Sequence, residues 1–546
     1  MSSEFTVQVV DNRRRPLADL YIGSLRFSTL DYEVLRNSVL SISASPGCVT
    51  MTPPLEPFQV GMVLPVEGFG SVYAYADNGG EGFTGAEKEI DFTFEAARTR
   101  VARVRRWIGE QTPGFRVSSA GEERLGKAED FLQKAQKAPL VSEARHLAAL
   151  ASLREGLWAG EVAVLEKARS DIARRAPREG FLFGGGNLVA RPASRRKREL
   201  FTGLFNLASV VLHWRIFEPR RGEKAWARVD DLVDWLNENR ITAKGHPLLW
   251  PSGTASPEWV LKDTYQRNYE AYTEVVLDRV YDIVKHYQGT LDMYDVANEA
   301  HDCANVYGYS PEQLVELTGL ACDVAREANA EVIRVINTYL EWGQYVAIDS
   351  YHSLEGLCKS ARPLMSVSKY LEKCVEASIG FEAIGLQVHN PVHDMFEISL
   401  MFDRYARFGK PIHITELGVP SAPIAAEALG GDTNVGDYAA VARAGVNLWG
   451  HPHYWHEPYN EDVQADWYEQ FYTLCYSKPY ITAVTNWLWE DCGTSMGLMT
   501  LMARARGERP RGWPPHTGFV KSDLTPKQSY YRIKKLIESW RPQQCQ

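Results

Sequence analysis

Two short stretches carry acids where an apolar strand has nothing obvious to do with them. "LDMYDVANEA" (291–300) runs apolar and strand-like into Asn298 and Glu299, and "PIHITELG" (411–418) runs the same way into Glu416. Capping explains one amide or carboxyl at a strand end. It does not explain the company: neighbouring apolar runs finish on His246, Gln387, His389 and Trp487. Two carboxyl groups converging on one sugar are what glycosidic cleavage requires. One protonates a poor leaving oxygen, the other meets the oxocarbenium-like centre, and a separation of about 5–5.5 Å gives the covalent, retaining route. Nearby carboxylates resist ionising together, so the one in the drier setting keeps its proton. That role is assigned to Glu299 and the nucleophile's to Glu416, with Asn298 beside the acid able to donate to a sugar hydroxyl.

The elements that must position these groups are readable from about residue 179 onward. Eight short apolar runs, "GFLFGGGN", "LASVVLHWRIF", "ITAKGHPLLW", "LDMYDVANEA", "EVIRVINTYL", "FEAIGLQVHN", "PIHITELG" and "ITAVTNWLWED", alternate with amphipathic helical stretches such as "ARVDDLVDWLNENR" and "MFEISLMFDRYARFG". Strand and helix alternating eight times predicts an α/β chain folded as a (β/α)8 barrel, in which active sites sit at the C-terminal strand ends. A doubly wound sheet competes, but "FGGGN" (183–187) lacks the GxGxxG spacing of a phosphate turn. Residues 1–85 read as short strands and turns, a β-sandwich-like accessory domain. Residues 86–178 read as a helical connector, with "EKEIDFTFEAARTRVARVRRWIGEQ" and "SEARHLAALASLREGLWAGEVAVLEKARSDIARR" at helical spacing, and 179–546 as the catalytic barrel. The basic run "SRRKRE" (194–199) reads as a solvated helix face, because no aromatic residue interleaves with it.

Composition narrows the partners. A net charge of −9 gives no footprint for nucleic acid, and no apolar run is long enough to cross a bilayer. Fifteen Trp and 26 Tyr supply flat faces for sugar rings, although most of them must be core. The eight cysteines form no CxxC pair or zinc spacing, no HExxH appears, and no GxSxG elbow supports a serine hydrolase. Neither a metal nor another cofactor is expected; the expected partner is a polysaccharide or oligosaccharide, and oligomeric state is unspecified. The start "MSSEFTVQVVDNRRRPL" has no basic, apolar and small-residue succession of a signal peptide, so the chain as written is expected to stay in the cytoplasm unless a secreted precursor was trimmed.

The stretch 179–540 resembles glycoside hydrolase family 10, the family of endo-β-1,4-xylanases. "FNLASVVLHWRIFEPRRG", "GHPLLW", "YDVANEA", "IGLQVHN", "PIHITELG", "WHEPYNEDVQADWYEQFYTLCYSKPYITAVTNWLWED" and "TPKQSYYRI" follow one another in that family's order. The resemblance implies Glu299 as general acid/base and Glu416 as nucleophile, with Asn298 on the 2-hydroxyl. His246 and Gln387 would touch the same ring, His389 would bond the nucleophile, and Trp250 and Trp487 would wall the pocket. His213 and Tyr339 complete the expected substrate-binding set. Four departures from the family's pattern stand out, the mildest being Asn337-Thr338-Tyr339 where the family has Asn-Asp-Tyr. Ser209, Val210, Val211 and His213 stand where the family has Glu, Asn, Glu and Lys; Gly418 stands where an Asp orients the histidine; and Ser495–Met496, followed by a basic insertion carrying Trp513, replaces Ser-Trp. The implied activity is retaining hydrolysis of β-1,4-xylan or xylo-oligosaccharides. The alternatives are the same machinery on another β-linked glycoside, or a non-catalytic carbohydrate-binding protein on the same scaffold.

Overall fold

A computed structural model describes residues 4–10, 24–36, 41–42, 47–54, 56–111, 113–253, 255–261, 268–302, 305–353, 356–360, 362–389, 392–422, 454–491 and 516–541. Eight parallel strands close into a barrel: β1 Leu182–Leu188, β2 Leu207–Val211, β3 Thr242–His246, β4 Met293–Asn298, β5 Ile333–Thr338, β6 Ala383–His389, β7 Ile412–Gly418 and β8 Ile481–Asn486. They lie side by side in sequence order, and β8 pairs back onto β1 from Ala483↔Leu182 to Asn486↔Gly185. Each of the eight apolar runs supplies one strand. Every residue of β2, β4, β6 and β7 is buried, which is why those runs read as continuously apolar instead of alternating.

The registers are uneven where the chemistry-bearing residues sit. Pairing shifts between Asp295 and Ala297 of β4, between Leu386 and Gln387 of β6 against β7, and between Ile414 and Leu417 of β7 against β8. Such irregularities re-aim the side chains beyond them, here Asn298, Gln387 and Glu416.

Before the barrel lie two four-stranded sheets. One runs Ser41–Ile42, Cys48–Met51, Phe5–Gln8, Glu89–Asp91, and the other Val34–Leu35, Arg26–Thr29, Phe58–Val66, Gly70–Ala76. Three helices follow: α1 Phe92–Gln111, α2 Ser119–Lys137 and α3 Glu143–Arg174. The helical spacing of "EKEIDFTFEAARTRV" places the start of α1 too early. Glu89–Asp91 instead pairs parallel with Phe5–Gln8, and the Asp91 carboxylate accepts the Phe94 N–H at the helix entry.

α1 and α3 serve two cores. Phe92, Ala96, Leu153 and Leu157 pack with Phe5, Phe58 and Val60 of the sheets, while Val104, Trp107, Ala159 and Val164 join the barrel core. Across the second contact, Arg100 grips Asp394 through two 3.0 Å bonds and Arg103 reaches Glu397 at 3.3 Å, while on the sheet side Arg103 holds Asp77 at 2.9 Å. All five side chains are buried, so losing one partner would strand a charge at a cost of about 3–5 kcal/mol. Asp394 caps α4, Met395–Ala406, which packs outside the barrel. The sheets also abut the barrel rim. Tyr73 N–H donates to the Val392 carbonyl at 2.7 Å, Glu33 accepts from Ser366 Oγ at 2.7 Å, and Gly70 bridges to Trp455.

Candidate active site

β4 hands its last residues to the rim under strain. Asn298 N–H donates to the Leu249 carbonyl at 2.8 Å, and Glu299 N–H to the Asn337 carbonyl at 2.8 Å. Glu299 itself turns into the left-handed region at φ 46°. A non-glycine residue adopts that conformation at a cost of order 1 kcal/mol, and does so where the surroundings fix it. The side chain emerges partly exposed, with Oε1 accepting from Gln387 Nε2 at 2.9 Å and Oε2 from Trp250 Nε1 at 3.1 Å.

Glu416 is deeper, at 4% exposure. Asn337 Nδ2 donates to its Oε1 at 3.1 Å, His389 Nε2 lies 3.2 Å from its Oε2, and His246 Nε2 lies 3.8 Å from Oε1. The same Asn337 amide reaches Asn298 Oδ1 at 2.6 Å, so one side chain ties the fourth-strand amide to the seventh-strand acid. Thr415 Oγ1 donates to Asn337 Oδ1 and fixes the orientation of that amide. Gly385 gives it room, since a Cβ there would stand 2.7 Å from Asn337 Oδ1. Asn298 Nδ2 is buried, and apart from an influence on the adjoining Glu299 carboxyl it makes no hydrogen bond of good geometry among the described residues, which leaves an amide N–H for a ligand oxygen.

Electrostatics marks out Glu299. Burial first, and then the neighbouring Glu416 charge, push the Glu299 carboxyl up to about 8, against the opposing pull of the Gln387 and Trp250 bonds. Glu299 therefore holds its proton at neutral pH. His246 is oriented from below: its Nδ1 lies 2.8 Å from Asp295 Oδ2, which also meets Lys244 Nζ at 2.7 Å. Burial opposes ionisation of Asp295, but the Lys244 ammonium and the His246 bond outweigh it and hold the carboxyl below the usual carboxylate range. The Nδ1 bond leaves His246 Nε2 pointing at the site.

A wall of rings flanks this floor. Trp487 meets His246 edge-on at 5.0 Å, His246 lies 5.5 Å from His213, and His213 meets Trp250 edge-on at 5.3 Å. Burial, with His246 and Arg279 adding to it, pushes the His213 imidazole well below its ordinary range, so it is neutral. Beneath the wall, Val210 and Val211 are fully enclosed and Ser209 is 1% exposed. Tyr339 sits at the edge of the site, 6.1 Å from the His389 ring and packed toward Val34.

The barrel thus gathers Glu299, Glu416, Asn298, His246, Gln387, His389, Trp250, Trp487 and His213 at one end, with Tyr339 peripheral. Ser495, Met496 and Trp513 lie outside the described residues. Sequence reading missed Asp295, Asn337 and Thr415 as site residues, and also Glu341, whose carboxyl Oε1 accepts the Gln387 backbone N–H at 2.8 Å. An acid inside an otherwise apolar strand was the available signal for Asp295. At Gly418 a Cβ would sit 3.7 Å from His389 Nδ1, so that position faces the histidine.

Comparison with known proteins adds the family. The family model for glycosyl hydrolase family 10 matches residues 193–535. Endo-1,4-beta-xylanase C of Paenibacillus barcinonensis is 27% identical over 284 residues, 48% of this chain and 24% of the relative. Endo-1,4-beta-xylanase B of Thermotoga neapolitana is 22% identical over 378 residues, 65% of this chain and 87% of the relative. This chain spans only about a quarter of the first of these curated relatives. Among solved structures, xylanase 10B from Thermotoga petrophila RKU-1 in complex with xylobiose is 18% identical, covering 69% of this chain and 96% of that one at a TM-score of 0.45.

Proposed function

This chain belongs to glycosyl hydrolase family 10, and from that premise we propose that it is a retaining β-glycoside hydrolase acting on β-1,4-xylan or xylo-oligosaccharides. Glu416 attacks the anomeric carbon while Glu299 gives its proton to the glycosidic oxygen, and the aglycone leaves as an alcohol. Water then attacks the glycosyl ester as Glu299, now a carboxylate, takes the water's proton, freeing the sugar and restoring both acids. Asn298 Nδ2 donates to the 2-hydroxyl, His246 and Gln387 contact the same ring, and His389 bonds the nucleophile. Trp250, Trp487 and His213 wall the pocket, and Tyr339 borders it.

The observation that carries this reading is the asymmetry of the acids: a carboxyl raised to about 8 stands beside a second carboxyl held by an amide N–H and an imidazole. A glycosidase needs one acid that keeps its proton and one that offers its lone pair.

A second reading keeps the machinery and changes the sugar. Valines at 210 and 211 and a neutral His213 put no charged group at these second-strand positions to pair with hydroxyls of further sugar units. Hydrolysis of aryl β-xylobioside, β-xyloside and β-glucoside tests both. The first reading expects the xylosides to be cleaved with retained configuration and the xylobioside to be preferred; preference for the glucoside favours the second. Binding to insoluble xylan with no turnover of any of the three overturns catalysis in favour of a carbohydrate-binding protein.

A further inference from the structure

The barrel mouth holds a buried carboxyl, Glu341, that the mechanism does not use. β5 and β6 stay paired from Val335↔Ala383 to Thr338↔Leu386, and there the ladder ends. The next residue on β6 is Gln387, whose side chain bonds the acid Glu299. On β5 the chain turns away: Leu340 adopts φ 64°, and the Gly343 N–H closes the turn on the Leu340 carbonyl at 2.8 Å. A left-handed leucine is costly, and its effect is to send the next side chain back toward the barrel. That side chain is Glu341, 6% exposed, and its Oε1 takes the Gln387 N–H at 2.8 Å in place of the missing strand carbonyl. The Tyr405 hydroxyl donates to the Glu341 carbonyl at 2.7 Å and pins the segment from α4.

We propose that Glu341 is a positioning residue for the acid: its carboxyl anchors the backbone of Gln387, and through the Gln387 amide it fixes Glu299. The proposal rests on the glycosidase reading for the role of Glu299, and on geometry for the anchor. A buried backbone N–H without an acceptor does not stay in place, and a displacement of about 1 Å at a reacting group costs about 10²-fold in rate. Glu299 and Glu416 face Glu341 from within the barrel mouth; Asp31, Tyr32 and Glu33 of the N-terminal segment, Arg404 and Tyr405 of α4, and Arg407 just beyond it share a narrow cavity with it. Burial pushes the Glu341 carboxyl well above the usual carboxylate range against the opposing pull of its own backbone N–H and that of Gln387, and Glu416 and Glu299 add to the rise; the balance favours the protonated form, which still accepts through its carbonyl oxygen.

The sign of the effect on Glu299 follows. The Gln387 bond favours the ionised acid and lowers its pKa; freeing Gln387 raises it. Glu341→Ala should lower kcat/KM by about 10–100-fold on glycosides with poor leaving groups and by less than about threefold on activated aryl glycosides, with KM nearly unchanged. Its alkaline limb should move upward from about 8. Glu341→Asp, which withdraws the acceptor by one methylene, should give a smaller change of the same sign. Glu341→Gln keeps a neutral acceptor oxygen and should restore the rate to within about threefold of wild type, with the limb in place. Carbon NMR of the glutamate Cδ atoms reads the Glu299 titration without substrate. It should follow the same order even if no glycoside is turned over, an outcome that would sink the glycosidase reading alone. The proposal is overturned if Glu341→Ala, or Glu341→Asp where the alanine variant does not fold, leaves the Glu299 titration unmoved. It is equally overturned if activated and poor leaving groups suffer alike, or if Glu341→Gln moves the limb downward, the mark of a lost charge.

Discussion

The two sides of the barrel mouth are built on opposite terms. On the floor, from β4 through β5 and β6 to β7, nearly every polar atom is held by a named partner: Gln387 and Trp250 on Glu299, Asn337 and His389 on Glu416, Asn337 on Asn298. On the wall above β2 and β3, Trp487, His246, His213 and Trp250 meet mainly through ring contacts, backed by enclosed valines. The difference separates two tasks. Bond-breaking depends on atoms placed within tenths of an ångström and on a pKa set by several donors at once, whereas a ring wall selects by shape and tolerates exchange. A chain can therefore keep its chemistry while its sugar preference drifts.

Breaking the floor should cost most. Glu416→Ala should abolish turnover, a loss of about 10⁴-fold or more, with azide restoring part of it as a product of inverted configuration. Near-normal rates from that variant would remove the nucleophile from the scheme. Glu299→Ala should lose about 10²–10⁴-fold on poor leaving groups and keep most of the glycosylation rate on activated aryl glycosides; equal losses on both would contradict the acid role.

A third prediction concerns stability. The folded pKa of Glu299, about 8, lies above its unfolded value, so the stability its proton confers is complete at low pH and is lost as pH rises through 8. Glu299→Gln should therefore match or trail wild type in thermal unfolding near pH 4 and exceed it near pH 9, by about 1–3 kcal/mol for a partly exposed group. Parallel pH profiles for the two proteins would contradict it. The smallest effect is expected at the wall. His213→Ala should change the ratio of kcat/KM among β-xyloside, β-xylobioside and β-glucoside by about 3–10-fold while leaving the Glu299 limb in place. Because the imidazole is held neutral, that change should be constant from about pH 6 to 9.

Much of the floor was legible in the sequence because it ends apolar runs. Glu299 and Glu416 stand out once eight such runs are seen to alternate with helices, since a barrel collects strand ends at one rim. Asn337, Thr415 and Glu341 were not legible as site residues. Their importance comes from contacts across 39, 78 and 46 positions of chain, through registers shifted by irregular pairing and through one left-handed leucine. The union of α1 with the outside of the barrel was equally hidden, because the buried Arg100–Asp394 pair joins residues 294 apart. Periodicity reports which face is buried, never which partner buries it.

Everything converges on a covalent bond between Glu416 and a sugar. Incubation with a 2-deoxy-2-fluoro-β-glycosyl fluoride of the sugar chosen by the aryl-glycoside panel, followed by peptide mass spectrometry, should find one fluorosugar ester, on Glu416, accumulating as activity falls. An ester on any other side chain, or continued turnover of the fluoride with no labelled peptide, would contradict the account.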